Sequence, residues 1–150
     1  MKLVELVREF FLNLLIPFIY LGYAILLVVF KEGNLPFSSP ILNYLVFIAF
    51  IVGASLWLFS YFYRHPSVNF YPTAKELVTT GPYRLLRHPI YSGVALTFLS
   101  LSLLVQSWPA FWYALVVILP VNFGRARWEE KIFTEAFAEK YRRYQKETLF

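Results

Sequence analysis

Long apolar stretches separated by short charged ones dominate the chain. With His counted as neutral, three stretches contain no charged residue: 10–30, 41–63 and 88–124. A helix needs about 20 residues to cross a hydrocarbon core of ~30 Å. The first two stretches, of 21 and 23 residues, therefore each predict one membrane-spanning helix.

The third uncharged stretch is too long for a single crossing. One helix of this length would extend roughly 55 Å at a rise of about 1.5 Å per residue. The sequence Gln106-Ser107-Trp108-Pro109 interrupts the stretch near its middle, so we expect two helices folded as a hairpin. The predicted spans are about 10–30, 41–63, 89–105 and 109–124, within one domain that covers 1–150.

The residues after Gly124 are more polar but keep a helical pattern. The apolar and aromatic residues recur at helical spacing: Trp128, Ile132, Phe133, Ala136, Phe137, Tyr141 and Tyr144. This pattern predicts an amphipathic cytoplasmic helix over about 125–147, with its aromatic stripe against the membrane or the spans. The predicted fold class is an all-α integral membrane protein with about four transmembrane helices and this C-terminal amphipathic helix.

Composition supports a membrane protein and narrows the chemistry. Apolar residues make up 59% and charged residues 15% of the chain, against about 45–50% and about 25% in soluble domains. A compact soluble fold of this size would expose large apolar patches. The chain has no Cys, no Asp and two His, so disulfide frameworks and thiolate sites are excluded and no metal site is expected.

The distribution of Lys and Arg predicts the orientation. If the N-terminus lies in the cytoplasm, the inner segments hold 13 of the 14 Lys and Arg residues, and the outer loops hold Lys31. Positive residues accumulate on the cytoplasmic side of membrane proteins, so both termini are expected there. Attraction to anionic lipid explains the net charge of +5 without a nucleic-acid partner.

Candidate chemistry lies where the third span begins. Pro82 indicates a short helix with proline at or near its first position. Pro89 disfavours α geometry at His88 and can itself open the third span, so His88 is predicted at a break between two helices. Tyr91 then shares a face with His88. Gly93 leaves room for another backbone or a flat ligand.

Four segments in this order resemble a family of membrane methyltransferases. The segments are Leu77-Val78-Thr79-Thr80-Gly81-Pro82-Tyr83-Arg84, Arg87-His88-Pro89-Ile90-Tyr91-Ser92-Gly93, Arg125-Ala126-Arg127-Trp128-Glu129-Glu130 and Phe137-Ala138-Glu139-Lys140-Tyr141. Together they resemble the enzymes related to isoprenylcysteine carboxyl methyltransferase and phosphatidylethanolamine N-methyltransferase. The resemblance covers about 75–145, and Ala138 stands where the family usually has Gly.

The resemblance implies transfer of a methyl group from S-adenosylmethionine to a membrane-dissolved acceptor. The acceptor would be a lipid or a prenylated or otherwise hydrophobic molecule that enters from the bilayer. By resemblance, the residues expected at the cofactor pocket are Lys75, Leu77, Val78, Tyr83, His88, Pro89, Tyr91 and Glu129. Glu129 would hold the methionine amino group, Arg125 would face the acceptor, and Glu130 would be a second acid with a catalytic role.

The residues themselves support a site in this region. Arg125 and Glu129 are four positions apart on the predicted helix, so both can point into one crevice. Glu130 lies at the edge of the apolar stripe, where a carboxylate needs an Arg partner or a cationic ligand. A carboxylate acceptor would need only Arg125 to orient it. An amine or thiol acceptor must lose a proton, and Glu130 is then the candidate base. The sequence leaves both acceptor types open.

The sequence leaves two other functions open. One is an NADPH-dependent membrane lipid reductase, and the other is a non-enzymatic four-span membrane subunit. Titration with S-adenosylmethionine, S-adenosylhomocysteine and NADPH separates the three. The short sequence Arg64-His65-Pro66 repeats the order of Arg87-His88-Pro89 without its flanking residues, and we interpret this repeat as a coincidence at the end of a span.

Overall fold

The computed structural model describes residues 2–30, 39–64 and 77–150, with side chains described from residue 15 onward. The regular structure in these ranges is helical, apart from an isolated parallel bridge between Leu86 and Leu149. The helices are α1 (Lys2–Val29), α2 (Pro40–Tyr63), α3 (Pro89–Leu104) and α4 (Trp108–Glu147), with a 3₁₀ turn at Gly81–Arg84 before α3. The predicted all-α fold is thus confirmed for the described part of the chain.

Helices α2 and α3 pack with their backbones in close contact. A Cβ atom on Gly93 would lie 2.5 Å from the backbone nitrogen of Trp57, and one on Gly53 would lie 2.8 Å from that of Thr97. Glycine at both positions removes the side chains that would hold the two helices apart, as at many helix contacts in membranes. The space predicted beside Gly93 is therefore filled by the backbone of α2.

A tight turn between α3 and α4 makes the predicted hairpin. The N-cap residue of α4, Ser107, accepts a hydrogen bond from the backbone of Ala110 and donates one to the carbonyl of Leu26 in α1. Gln106 adopts a positive φ of 59°. Capping by a serine side chain and a proline in the first turn are typical helix starts. The interruption predicted at 106–109 is confirmed.

Helix α4 continues through the position where we expected the last span to end. It combines an α segment, a wider π turn at Ala114–Ile118 and a long α segment. Pro120 lacks an N–H and would clash with the carbonyl four residues earlier, and the wide turn before it relieves that conflict. The helix runs through Gly124 without a break and kinks at Ala138, where φ is 43° and ψ is −113°.

Two clusters of buried residues form the interior. The first joins α1, α3 and α4 and contains Ile19, Tyr23, Val94, Ala110, Ala114 and Ile118. The second contains Phe133, Tyr141 and Tyr144, with Leu77 and Phe137 packed against them. Four residues of the stripe predicted after Gly124 thus pack together with Leu77, in the segment before the 3₁₀ turn.

Two of the described helices, α2 and α4, are long and apolar enough to cross a membrane, judged by length and composition. The segments Leu15–Val29 and Pro89–Leu104 are shorter apolar helices. Along α2 the large apolar side chains are mostly exposed, including Ile41, Leu45 and Phe62. Exposed apolar faces of this extent are typical of surfaces that contact lipid.

Candidate functional site

The 3₁₀ turn places a buried tyrosine at the centre of the site. Gly81 begins the turn with a φ of +60°, and a Cβ atom there would lie 2.7 Å from the ring of Tyr63, so the position requires glycine. Tyr83 follows and is 5% exposed. Its hydroxyl donates to the carbonyl of Ser60, and its own carbonyl accepts a hydrogen bond from Tyr144. The short helix predicted at Pro82 is confirmed.

His88 lies between two buried acids. It is the N-cap residue of α3, with Pro89 directly after it, which confirms the predicted break. Its Nδ1 is 3.6 Å from Glu129 Oε2, and its Nε2 is 3.5 Å from Glu130 Oε1. Its ring packs beside those of Tyr91 and Phe150, and the residue is 3% exposed. His88 thus separates the two carboxylates.

The two acids have different partners. Glu130 is bound by Arg87 Nη1 at 2.7 Å and by Arg127 Nη1 at 3.3 Å, so each of its oxygens has a guanidinium partner. The arginine partner expected for Glu130 is therefore present. Glu129 accepts a hydrogen bond of 2.9 Å from the hydroxyl of Tyr91 and lies 3.6 Å from Arg64 Nη1. Arg64 thus lies farther from Glu129 than Arg87 does from Glu130.

The surroundings of Glu129 favour its charged form. Burial by itself would raise the pKa of this carboxyl, but the contact with His88, the charge of Arg64 and the hydroxyl of Tyr91 outweigh burial. The pKa of Glu129 therefore lies below its ordinary value of 4.5. A buried carboxylate kept charged in this way is suited to bind a cation.

A small cavity lies beside Glu129. Its volume is about 20 Å³, and its lining consists of Arg64, Leu77, Val78, Tyr83, Arg87, Glu129, Phe133, Tyr141 and Tyr144. Burial raises the pKa of Tyr83 and of Tyr144 to about 12, so both are neutral hydroxyls at physiological pH. The small cavity combines one carboxylate, two guanidinium groups and several aromatic faces.

A large cavity of about 700 Å³ lies on the other side of Glu129, between all four helices. Most of its wall is apolar and includes Ile16, Leu27, Trp57, Val94 and Phe98. One end is polar and is formed by Tyr20, Arg64, Tyr91, Asn122, Arg125 and Glu129. An apolar cavity with a few polar groups at one end is typical of a site for an amphiphilic ligand.

Arg64 and Glu129 line both cavities. These two side chains therefore form part of the wall between the small cavity and the large one. At the polar end, the guanidinium of Arg125 lies 5.6 Å from the ring centre of Tyr91. Groups held in the two cavities would approach each other at Glu129.

The structure brings most of the predicted site residues into this region. Leu77, Val78, Tyr83 and Glu129 line the small cavity, whereas Tyr91, Arg125 and Glu129 line the large one. Within the described part of the chain, His88, Pro89 and Glu130 line neither of these cavities and are buried next to them. Lys75 lies outside the described residues.

Sequence reasoning missed Arg64, which it treated as part of a chance repeat. It also passed over Arg87 as a lining residue. Its position in the sequence could have indicated a role at the site. Arg64 is the first charged residue after the 23-residue uncharged stretch that forms most of α2. A cation at the end of such a helix is placed at the membrane boundary, close to where the third span starts.

The donor set of the small cavity fits S-adenosylmethionine. The cofactor carries an ammonium, which matches Glu129, and a carboxylate, which matches Arg87. The Nε atom of Arg87 is buried and has no hydrogen-bond partner among the described residues, as expected for a group that receives a ligand. Aromatic rings such as those of Tyr83 and Phe133 match the adenine. The present volume holds about one water, so the lining must move apart to admit a nucleoside.

Comparison with known protein families gives a match over most of the described helices. The family of phospholipid methyltransferases matches residues 41–140, which is two thirds of the chain. No curated protein and no solved structure shows a significant match. The matched region contains α2, the 3₁₀ turn, α3, both acids and most of α4.

Proposed function

The chain belongs to the phospholipid methyltransferase family, and we propose that it transfers a methyl group from S-adenosylmethionine to a phospholipid in the membrane. Family membership makes it a membrane-associated methyltransferase. The observation that carries the finer proposal is the wall formed by Arg64 and Glu129 between two cavities of different character. The lining of the small cavity matches the charged groups and the adenine of the cofactor once it moves apart, and the large cavity suits a lipid.

On the cofactor side, the small cavity supplies the binding groups. Glu129 binds the ammonium, Arg87 binds the carboxylate, and the rings of Tyr83, Phe133 and Tyr141 pack against the adenine. When bound, S-adenosylmethionine supplies a methyl group on a positively charged sulfur, which needs no further activation. The chain therefore contributes mainly position and the exclusion of water, which together account for much of the rate of such displacements.

On the acceptor side, the large cavity orients the lipid. Its apolar wall takes the hydrocarbon chains, while Arg125 and Asn122 at the polar end bind the headgroup. Asn122 is fixed in place because its Nδ2 donates to the carbonyl of Ile118 at 2.8 Å. The headgroup then faces Glu129, where the two cavities meet. An acceptor already dissolved in the bilayer enters laterally between the helices.

We assign Glu130 a positioning role in place of the catalytic role that the sequence suggested. It lines neither of the two described cavities, and Arg87 and Arg127 engage both of its oxygens. With His88 it fixes Arg87 and the start of α3. Because neither of its oxygens lines the large cavity, Glu130 does not serve as the general base in this proposal; an amine headgroup loses its proton to water before it reaches Glu129.

The same proposal includes four membrane spans with both termini in the cytoplasm. Helices α2 and α4 have the length and composition to cross, and the shorter apolar segments Leu15–Val29 and Pro89–Leu104 provide the other two crossings. This arrangement places the small cavity at the cytoplasmic boundary, where the water-soluble cofactor is available. The excess of Lys and Arg on that side supports it.

The direct test is methyl transfer by purified protein in a non-ionic detergent. Radiolabelled methyl from S-adenosylmethionine should enter phosphatidylethanolamine and should not enter diacylglycerol. Calorimetry should show binding of S-adenosylhomocysteine and none of NADPH. Binding of NADPH without S-adenosylhomocysteine would instead support a lipid reductase, and binding of neither ligand would support a non-enzymatic subunit.

A further inference from the structure

Arg64 directly follows α2 and, together with Glu129, lines both the small cavity and the large one. Its Nη1 lies 3.6 Å from Glu129 Oε1, and its Cζ lies 5.7 Å from the ring centre of Phe133. The distance to Glu129 exceeds the usual length of a charged hydrogen bond, whereas Arg87 holds Glu130 at 2.7 Å. Arg64 is therefore an ion-pair partner of Glu129 that a stronger ligand can replace.

The cofactor brings such a ligand, if the proposed function is correct. Glu129 would bind the ammonium of the cofactor, in competition with the guanidinium of Arg64. Glu130 keeps two guanidinium partners because one of them, Arg127, is largely exposed to water. Arg64 and Glu129 are both largely buried, so a second cation beside Glu129 would repel Arg64 strongly. Arg64 already lines the large cavity, which offers the displaced guanidinium a second position.

Moving Arg64 changes what the large cavity can bind. The guanidinium joins Arg125 at the polar end, while Glu129 is neutralised by the cofactor. The acceptor end then carries two cations and no free carboxylate, which suits a phosphate group that can accept hydrogen bonds from both arginines. With the small cavity empty, Glu129 and Arg64 neutralise each other and this preference is weaker.

We propose that Arg64 couples the two sites by exchanging partners. It pairs with Glu129 when the cofactor is absent and binds the phosphate of the acceptor when the cofactor is present. This inference rests on the proposed function and adds a specificity-determining residue to it. Since coupling between binding sites is reciprocal, a phosphate-bearing lipid also increases the affinity for the cofactor.

The test measures binding, with dihexanoyl phosphatidylethanolamine as the acceptor probe in a maltoside detergent. In the wild type, saturating S-adenosylhomocysteine should tighten binding of the probe by at least about fivefold. We call the affinity for the probe with S-adenosylhomocysteine, divided by the affinity without it, the coupling ratio. In Arg64→Gln the coupling ratio should fall close to one, while the affinity for S-adenosylhomocysteine stays the same or increases. Arg64→Lys retains the charge, should keep part of the coupling, and shows whether the fold tolerates substitution at this position.

Two controls define the origin of the effect. Arg127→Gln removes an arginine that pairs with Glu130 and lines neither described cavity, so its coupling should equal that of the wild type. Dihexanoylglycerol lacks the phosphate, so its affinity for the wild type should be nearly the same with and without S-adenosylhomocysteine.

Three results would overturn the inference. Arg64→Gln could keep the wild-type coupling, or the neutral lipid could show the same coupling as the phospholipid. Arg64→Gln could also weaken binding of S-adenosylhomocysteine, which would mean that Arg64 holds the cofactor's carboxylate. Failure of the wild type to bind S-adenosylhomocysteine is a different result, because it contradicts the proposed function itself.

Discussion

Adjacent carboxylates in one helix have separate roles because their partners differ. Glu130 has two arginines, and Glu129 has a tyrosine hydroxyl and a more distant arginine. If Glu129 binds the ammonium of the cofactor, Glu129→Gln removes one charged hydrogen bond. The loss is about 1.5–3 kcal/mol, which corresponds to roughly tenfold to a hundredfold weaker binding of S-adenosylhomocysteine.

Arg125→Ala is the matched comparison for this prediction. Arg125 lines the large cavity and not the small one, so its loss should leave binding of S-adenosylhomocysteine nearly unchanged and abolish turnover. Calorimetry and a methyl-transfer assay on both variants measure the two effects. Similar small losses from both substitutions would show that Arg125 and Glu129 form an ordinary ion pair.

The lowered pKa of Glu129 also predicts how stability depends on pH. A carboxyl group whose pKa is lower in the folded protein stabilises the fold above its ordinary pKa of 4.5. That contribution disappears as the pH falls through the folded pKa. The difference in thermal midpoint between the wild type and Glu129→Gln should therefore be constant from neutral pH to about pH 5 and shrink below about pH 4.

Glu135→Gln, at an exposed position, serves as the control. A difference between the wild type and Glu129→Gln that stays unchanged down to about pH 3 would contradict the prediction.

At the scale of the element, the kink in α4 determines where the aromatic lining of the small cavity lies. Phe133 precedes the kink at Ala138, while Tyr141 and Tyr144 follow it. Backbone conformations with positive φ cost a residue with a Cβ about 1–3 kcal/mol. Ala138→Gly should remove most of that strain, while glycine's greater freedom in the unfolded chain takes back about 0.5–1 kcal/mol. A net gain of about 1 kcal/mol raises the thermal midpoint by about 2–4 °C in a chain of this size.

The control for this prediction is Ala136→Gly in the same helix. Ala136 is exposed and has helical geometry, so glycine there should destabilise the helix by about 1 kcal/mol. Opposite shifts in the thermal midpoints of the two variants support the kink. If Ala138→Gly destabilises the protein as Ala136→Gly does, Ala138 is an ordinary helical residue.

Across the whole molecule, local signals predicted the elements, and long-range contacts determined the site. Charge-free stretches and the interruption at 106–109 located the helices, and Pro89 located the break at His88. The continuity of α4 through Gly124 was not predictable, because glycine weakens a helix without terminating it. The role of Arg64 was not predictable either, since it depends on how the end of α2 meets the middle of α4.

The arrangement of the spans can be tested by cysteine labelling, because the chain contains no Cys. Four crossings place the start of α2 and the α3–α4 turn on one side of the membrane, and the end of α4 on the other. Exposed positions are available at each place: Ser39, Gln106 and Lys146. Single substitutions to Cys at these positions can be labelled in intact cells with a maleimide that does not cross membranes. Ser39→Cys and Gln106→Cys should react from outside. Lys146→Cys should react only after permeabilisation, because the end of α4 is expected in the cytoplasm. Reaction of Lys146→Cys in intact cells together with Gln106→Cys would contradict four spans, and with them the placement of the small cavity at the cytoplasmic boundary.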